Sequence, residues 1–134
     1  MRNKKTILLL TLLPLLMVCK TTLPTVAQEL TPAQIFQKAQ EASDDQKYAL
    51  AMYYYRTFQE RYPDELERNL WAEYEIALLY SKLGKRELAI THFNSLLQRY
   101  ATDAEAASYP PAPKILAEKV KARLEKTRTP SQAP

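Results

Sequence analysis

The sequence predicts an all-α protein, a short solenoid of antiparallel helix pairs, and three observations support this fold class. An apolar pattern occurs twice, so that "RTFQERYP" at 56–63 matches "NSLLQRYA" at 94–101. Within each copy, the apolar side chains follow the spacing of one helix face. The 134-residue chain contains a single glycine, Gly84, which disfavours turn-rich β architectures.

The repeat extends over most of a helix and the turn before it. Residues 46–63 and 84–101 share five identities, where about one is expected by chance. The two copies are 38 residues apart, and a period of this length indicates stacked helical units that bury each other's apolar faces. The identical pairs are Lys47/Lys85, Leu50/Leu88, Ala51/Ala89, Arg61/Arg99 and Tyr62/Tyr100.

Residues 1–27 are expected to be a secretory signal peptide and not part of the fold. The basic segment "MRNKK" precedes an apolar run, "TILLLTLLPLLMV", that is too short to span a bilayer. Cleavage is expected between Ala27 and Gln28, which predicts a periplasmic or secreted protein. The alternative is a membrane-anchored lipoprotein whose acylated first residue is Cys19, although Met17 and Val18 occupy positions where small residues are preferred.

The charge balance changes once the predicted signal peptide is set aside. The full chain has a net charge of +4, but the four basic residues of 1–27 have no acidic counterpart there. Basic and acidic side chains are equal in number over 28–134, so this part of the chain lacks the excess of basic side chains that is typical of a nucleic-acid-binding protein. This part of the chain contains no cysteine, so we expect one domain of residues 28–128, stabilised by apolar packing without disulfides.

The first predicted repeat occupies about 31–63 as two helices. The first helix has Thr31 as its expected N-cap and Pro32 at the first helical position, where a missing N–H costs nothing. The second helix has one continuous apolar face, which predicts a buried core face. This face comprises Tyr48, Ala51, Met52, Tyr55, Phe58 and Tyr62.

The second predicted repeat occupies about 64–101. Its first helix is expected to have Asp64 as N-cap, with Glu67 three residues later, and to end at Gly84 in the left-handed conformation. The centre of this helix, "IALLY", is apolar on nearly every side, which predicts a place in the middle of the stack. The second helix presents Ala89, Phe93, Leu96, Leu97 and Tyr100 on one face.

A fifth helix is predicted at about 112–128, with Pro113 at its start and a disordered tail at 129–134. We expect it to cap the stack, because two repeats alone leave a terminal apolar face uncovered. If the cap is incomplete, a homodimer through this end is the alternative. The predicted apolar face of the helix comprises Ile115, Leu116, Val120 and Leu124.

The two units resemble the tetratricopeptide repeat (TPR) family. The second unit matches the family pattern at Ala77, Tyr80, Leu83, Gly84, Ala89, Phe93, Leu96 and Leu97, and the first at Ala39, Tyr48, Ala51, Tyr55, Phe58 and Pro63. The period of this chain is longer than the family period of about 34 residues. Glu73 stands where the family usually has a large apolar residue, and Ala101 replaces the closing proline.

The long helices and the "RYP" and "YPPAP" segments are also similar to periplasmic TPR proteins of Gram-negative bacteria, such as the outer-membrane assembly lipoprotein and the Tol-Pal-associated coordinator. The resemblance implies a non-enzymatic adaptor of the cell envelope that binds a protein or peptide. The alternative is a lipid-anchored subunit of an outer-membrane protein assembly or envelope-maintenance complex.

The sequence offers no recognisable catalytic or metal-binding pattern, and no cofactor is expected. His92, the single histidine, is predicted to be a solvated surface residue because it precedes Phe93 and lies off the apolar face. The pair Asp44/Asp45 is expected in a turn, and Glu73/Glu75 point in different directions on one helix. An enzyme of unrecognised type is the remaining alternative.

The family resemblance also implies a partner-binding groove on the first helix of each unit. Four of its positions follow a spacing of 3, 4 and 4 residues, so they form one stripe on the third helix. Aromatic residues in such a stripe are typical of binding hot spots. The alternative is that Trp71 and Tyr74 are core residues, which the stability of their alanine variants would reveal. The groove positions are Phe36, Gln40, Trp71, Tyr74, Leu78 and Lys82.

Overall fold

The computed structural model describes residues 29–127, and within this range the chain forms helices and no strand. The predicted signal peptide, its cleavage site, Cys19 and residues 128–134 lie outside the described residues. None of the helices between 29 and 127 is both long enough and apolar enough to cross a membrane. The elements are α1 (Pro32–Asp44), α2 (Tyr48–Arg61), α3 (Leu66–Lys82), α4 (Arg86–Thr102), a 3-10 turn (Ala106–Ser108) and α5 (Pro111–Lys126).

The helices pack as two successive pairs followed by a single helix. α1 packs on α2 and α3 on α4, the two pairs meet through α2 and α3, and α5 covers α4 and α3. This arrangement confirms the predicted all-α, TPR-like solenoid of helix pairs. The five predicted helices are all present.

Helix α3 lies in the middle of the stack because it contributes to two apolar clusters. Ile76 and Leu79 pack with α1 and α2, whereas Leu70, Tyr74 and Ala77 pack with α4 and α5. The nearly all-apolar "IALLY" segment is therefore covered from both sides, as the sequence predicts.

Fully buried alanines recur where the helices pack on each other. Ala39, Ala51, Ala77 and Ala89 are each 0% exposed, and they occupy corresponding positions of the two pairs. A methyl group at these positions allows two backbones to approach closely at the packing density of a protein interior. Ala117 of α5 is buried in the same way, so α5 resembles the first helix of a third pair.

The N-terminus of α1 agrees with the sequence, whereas that of α3 does not. Thr31 and Gln34 form a reciprocal capping box at the start of α1. The expected N-cap Asp64 is wrong, because the N-cap residue of α3 is Glu65, which makes no side-chain cap. The side chain of Asn69 explains the later start, since its Nδ2 donates to the carbonyls of Tyr62 (2.7 Å) and Pro63 (3.0 Å) and holds an additional turn there.

The turn inside each pair has one residue in the left-handed conformation, at the corresponding position of the repeat. Gly84 ends α3 with φ 71°, as expected, and Gln46 ends α1 with φ 61°. In each turn, this residue donates its N–H to a carbonyl three residues back, and the following lysine donates to a carbonyl five residues back. Both turns are therefore Schellman motifs. The repeat includes the turn as well as the helix.

The apolar face of α5 differs from the predicted face in one residue. Ile115 is 57% exposed, so its assignment to the buried face is wrong. Pro113, Ala117 and Val120 are buried instead, with Leu116 and Leu124 at the edges of the face. Ile115 lies two residues from Pro113 and from Ala117, about 200° around the helix, which turns it away from α4.

Candidate functional site

The six predicted groove residues lie on α1 and α3, the first helices of the two pairs. Gln40 and Lys82 are exposed, whereas Phe36, Trp71 and Leu78 are half-buried. Tyr74 is 7% exposed and belongs to the cluster between α3, α4 and α5. The structure thus places an apolar strip along α3, with a polar residue on α3 and another on α1.

The aromatic residues of α3 form a connected stack. The rings of Trp71 and Tyr74 meet edge to face, with centroids 5.9 Å apart and an interplanar angle of 86°. Tyr74 in turn contacts Phe93 of α4 at 6.0 Å. Trp71 and Leu78 pack against the same cluster from its edge. Tyr74 therefore supports Trp71 from beneath, and Trp71 retains an accessible part.

On α1, the ring of Phe36 lies against the second helix of its own pair. Its centroid is 5.2 Å from that of Tyr55 and 5.4 Å from that of Phe58, in both cases edge to face. Edge-to-face pairs at such distances stabilise the packing of aromatic rings. Phe36 thus belongs to the rim of the first cluster.

Lys82 marks the end of the α3 strip and links it to the first pair. Its Nζ donates to Ser43 Oγ at 3.3 Å and lies 5.5 Å from the centroid of the Tyr48 ring. Glu75 is half-buried nearby. Burial raises the pKa of Glu75, the charge of Lys82 partly offsets this, and Asp44 raises the pKa further.

Glu73, which stands at an unusual position for the repeat family, is explained by a polar network with α4. Arg99 pairs with Glu73 and also with Asp103, at 3.2 Å from Nε to Oδ2. Tyr109 donates its hydroxyl to the same Asp103 oxygen at 2.7 Å. Burial raises the pKa of Glu73, and the charge of Arg99 lowers it. Arg99 belongs to the repeated Arg-Tyr pair, so this repeated residue has a structural role.

The predicted solvated position of His92 is wrong. Its ring is half-buried and stacks on that of Tyr80, with centroids 4.8 Å apart and an interplanar angle of 17°. Burial lowers the pKa of His92, and nearby Arg56 lowers it further, so the neutral ring is favoured. Its offset from Phe93 turns it away from the α4 core and toward Tyr80.

The acidic pairs of the sequence lie in different surroundings. Asp44 is the last residue of α1, and Asp45 follows it and pairs with Lys47 at 2.9 Å. Glu73 faces Arg99, whereas Glu75 lies near Lys82, so the two carboxylates do not converge. Across residues 29–127, no group of three or more His, Cys, Asp or Glu side chains is arranged to hold a metal ion.

Comparison with known proteins agrees with this architecture. A family model described as "Tetratricopeptide repeat" matches residues 71–103, which cover most of α3 and all of α4. The match supports a TPR protein. It coincides with the second pair, whose small and aromatic positions carry the resemblance seen in the sequence.

A related protein and the solved structures complete the comparison. An uncharacterized protein of Treponema pallidum (strain Nichols) is 31% identical over 87 residues, which are 65% of this chain and 34% of the relative. The chain thus spans about a third of the length of that relative. No solved structure matches the chain.

Proposed function

We propose that this protein is a non-enzymatic TPR adaptor that binds a protein or peptide partner in the bacterial cell envelope. The observation that carries the proposal is the strip on α3, in which Trp71 and Leu78 are half-exposed and Lys82 is exposed. The TPR match supports an interaction role, since such repeats generally mediate contacts between proteins.

The packing of α3 makes the strip suited to binding. A helix fixed by apolar clusters on two sides loses little conformational freedom when a partner binds, which lowers the entropic cost of association. Trp71 is held over Tyr74, so its orientation is set before the partner arrives. Large aromatic residues held in this way are typical hot spots.

The groove positions divide into contact residues and supporting residues. Trp71 and Leu78 of α3 offer apolar contact, and the exposed Lys82 of α3 and Gln40 of α1 offer hydrogen-bonding groups. Tyr74 supports Trp71 from beneath and packs on Phe93, whereas Phe36 packs on Tyr55 and Phe58 in the first pair. An extended or helical peptide with an apolar anchor fits this combination.

Alanine variants test the face by comparing stability with binding. Trp71→Ala is expected to melt close to the wild type and to lose capture of the partner from envelope extract. Tyr74→Ala is expected to lose about 3 kcal/mol or more, as large core truncations do. Lys119→Ala on the exposed side of α5 is the control and is expected to retain both properties. A loss of stability in Trp71→Ala as large as that of Tyr74→Ala would show that Trp71 is a core residue.

The envelope setting is supported by the pattern of residues 1–27. The mature protein is proposed to begin at Gln28 and to act in the periplasm. The intact mass of the protein isolated from cells tests this directly. A mass that begins at an acylated Cys19, together with incorporation of labelled fatty acid, would favour the alternative of a lipid-anchored subunit of an envelope complex.

A further inference from the structure

A cleft of about 350 Å³ lies between α2 and the turn that joins α3 to α4. Its walls combine aromatic, aliphatic and cationic side chains. Leu83 in the turn is 42% exposed, and among residues 29–127 only Leu88 and Ile115 are also exposed large apolar residues. The lining residues are Ala49, Met52, Tyr53, Arg56, Tyr80, Leu83 and Lys85.

The cleft lies on the opposite side of α3 from the proposed groove. Tyr80 is nine residues from Trp71 and two from Leu78, which places it about 180° and about 200° around the helix from them. A ligand that contacts Tyr80 in the cleft therefore lies on the side of α3 away from Trp71 and Leu78. The two surfaces can be tested separately.

The cationic wall of the cleft is held in place by aromatic residues. Arg56 Nη2 donates to the hydroxyl of Tyr80 at 2.7 Å. The Tyr80 ring is fixed from its other side by the stacked ring of His92 at 4.8 Å. One guanidinium donor is used by the tyrosine, and a guanidinium has five, so several donors can serve a ligand.

The charges of the cleft are of one sign. Arg56 and Lys85 line it, and among its lining residues there is no carboxylate. Within residues 29–127, neither cation has an ion-pair partner, whereas Arg68 pairs with Glu65 and Arg99 pairs with both Glu73 and Asp103. A ligand with a carboxylate beside an apolar side chain would complement both the charges and the exposed Leu83.

We propose that this cleft is a second docking site that binds an acidic peptide segment. A carboxylate of the segment pairs with Arg56 and Lys85, and an adjacent apolar side chain packs on Leu83 and Tyr53. The site is independent of the Trp71 groove and of its partner.

Fluorescein-labelled hexapeptides provide the probe. The acidic peptide Glu-Glu-Leu-Phe-Glu-Glu is compared with Gln-Gln-Leu-Phe-Gln-Gln and Lys-Lys-Leu-Phe-Lys-Lys by fluorescence anisotropy. The acidic peptide is expected to bind most tightly and to weaken as salt is added, because exposed charges are screened. Its Kd is expected to rise about fivefold or more in the Arg56→Gln/Lys85→Gln double variant.

Matched controls distinguish binding in this cleft from a general attraction between the acidic peptide and surface cations. Lys114→Gln/Lys119→Gln removes two exposed cations of α5 and is expected to leave the Kd unchanged. Trp71→Ala is expected to bind the acidic peptide as the wild type does. Melting curves show whether each variant is folded. Leu83→Ser is a second variant that leaves the Arg56–Tyr80 hydrogen bond intact. It is also expected to weaken binding of the acidic peptide.

Several results would overturn the proposal. One is equal affinity for the acidic and the basic peptide, and another is no binding of the acidic peptide by the wild type. Unchanged affinity in the folded double variant or in Leu83→Ser would also contradict it. Vesicles with phosphatidylglycerol form a separate arm, and binding to them alone, lost in the double variant, would assign the cleft to a membrane surface.

Discussion

Two single residues, Gln46 and Gly84, show how the repeat is maintained at positions with different chemistry. Both adopt positive φ, and both close the same pair of hydrogen bonds. For a residue with a Cβ, the left-handed conformation costs about 1–2 kcal/mol, whereas glycine adopts it readily. Gln46 therefore carries a strain that Gly84 avoids. The alignment of 46–63 with 84–101 pairs these two positions, so the repeat in the sequence already indicates that the turn at Gln46 matches the turn at Gly84.

Substitutions at these two positions are expected to have opposite effects. Gly84→Ala should lower the free energy of unfolding by about 1 kcal/mol. Backbone strain alone causes this loss, because an added Cβ would have no atom within 4 Å to clash with. Gln46→Gly should raise the free energy of unfolding by about 0.5–1 kcal/mol. The relief of backbone strain exceeds the cost of the greater conformational entropy of glycine in the unfolded chain. Urea denaturation of both variants measures these differences. A stabilised Gly84→Ala or a destabilised Gln46→Gly would contradict the assignment of the turns.

Glu75 is a second residue whose surroundings set a measurable property. Burial and Asp44 raise its pKa, and Lys82 lowers it only in part. The folded protein therefore binds this proton more tightly than the unfolded chain does. The stabilisation from the protonated form is complete below about pH 4.5, the ordinary glutamate value, and is lost as the pH rises through the folded-state pKa.

Glu75→Gln is accordingly expected to raise the melting temperature at pH 7 by a few degrees, since a neutral amide avoids the burial of a charge. The gain over the wild type should shrink as the pH falls from 7 toward 4.5. Glu118→Gln, on an exposed position of α5, serves as control and should show neither effect. A lower melting temperature of Glu75→Gln at pH 7 would mean that the Lys82 pair outweighs burial.

Helix α5 covers the C-terminal end of the stack. Pro113, Ala117 and Val120 are buried against the α3–α4 pair. Arg86 at the start of α4 reinforces this contact, because its Nε donates to the Leu124 carbonyl at 2.8 Å near the end of α5. Without α5, the apolar residues of the second cluster would face water.

Truncation before Pro110 is therefore expected to abolish cooperative unfolding or to cause aggregation. Without α5, the apolar face of α4 would be exposed to water, which favours aggregation and weakens the cooperative packing of the stack. Circular dichroism melting and light scattering measure the two outcomes. A truncated protein that melts as sharply as the full chain would exclude a capping role.

Two substitutions on α5 separate its buried face from its exposed face. Val120→Ser should cost about 2–4 kcal/mol, because it removes methyl groups from the core and buries a hydroxyl. Ile115→Ser is the matched control on the exposed side and should change stability by less than about 0.5 kcal/mol. Equal losses in the two variants would contradict the observed orientation of α5.

The elements were more predictable from the sequence than the contacts between them. Helical periodicity places all five helices, because apolar stripes reflect burial directly. The start of α3 was predicted wrongly, because the capping of its preceding turn depends on Asn69, a later residue of the helix itself. Likewise, the stripe through Trp71 and Tyr74 was visible, but the burial of Tyr74 depends on Phe93 in another helix.

The helical stack presents two surfaces that lie on opposite sides of α3. One holds the half-exposed Trp71 strip, and the other holds the cleft of Arg56 and Lys85. Both are supported by the same helix, which is packed between two clusters. A homodimer through the α5 end is the alternative if the cap is incomplete, and gel filtration tests it.

Binding of a partner protein to the α3 strip can be tested in cells by site-specific photo-cross-linking. A photoreactive phenylalanine analogue is placed at Leu78 in the strip or at Ala122, an exposed control position on α5. We expect a discrete adduct from position 78, its loss when Trp71→Ala is added, and no such adduct from position 122. An equal adduct from position 122, or an adduct at 78 that persists undiminished with Trp71→Ala, would show that the strip is not the binding surface.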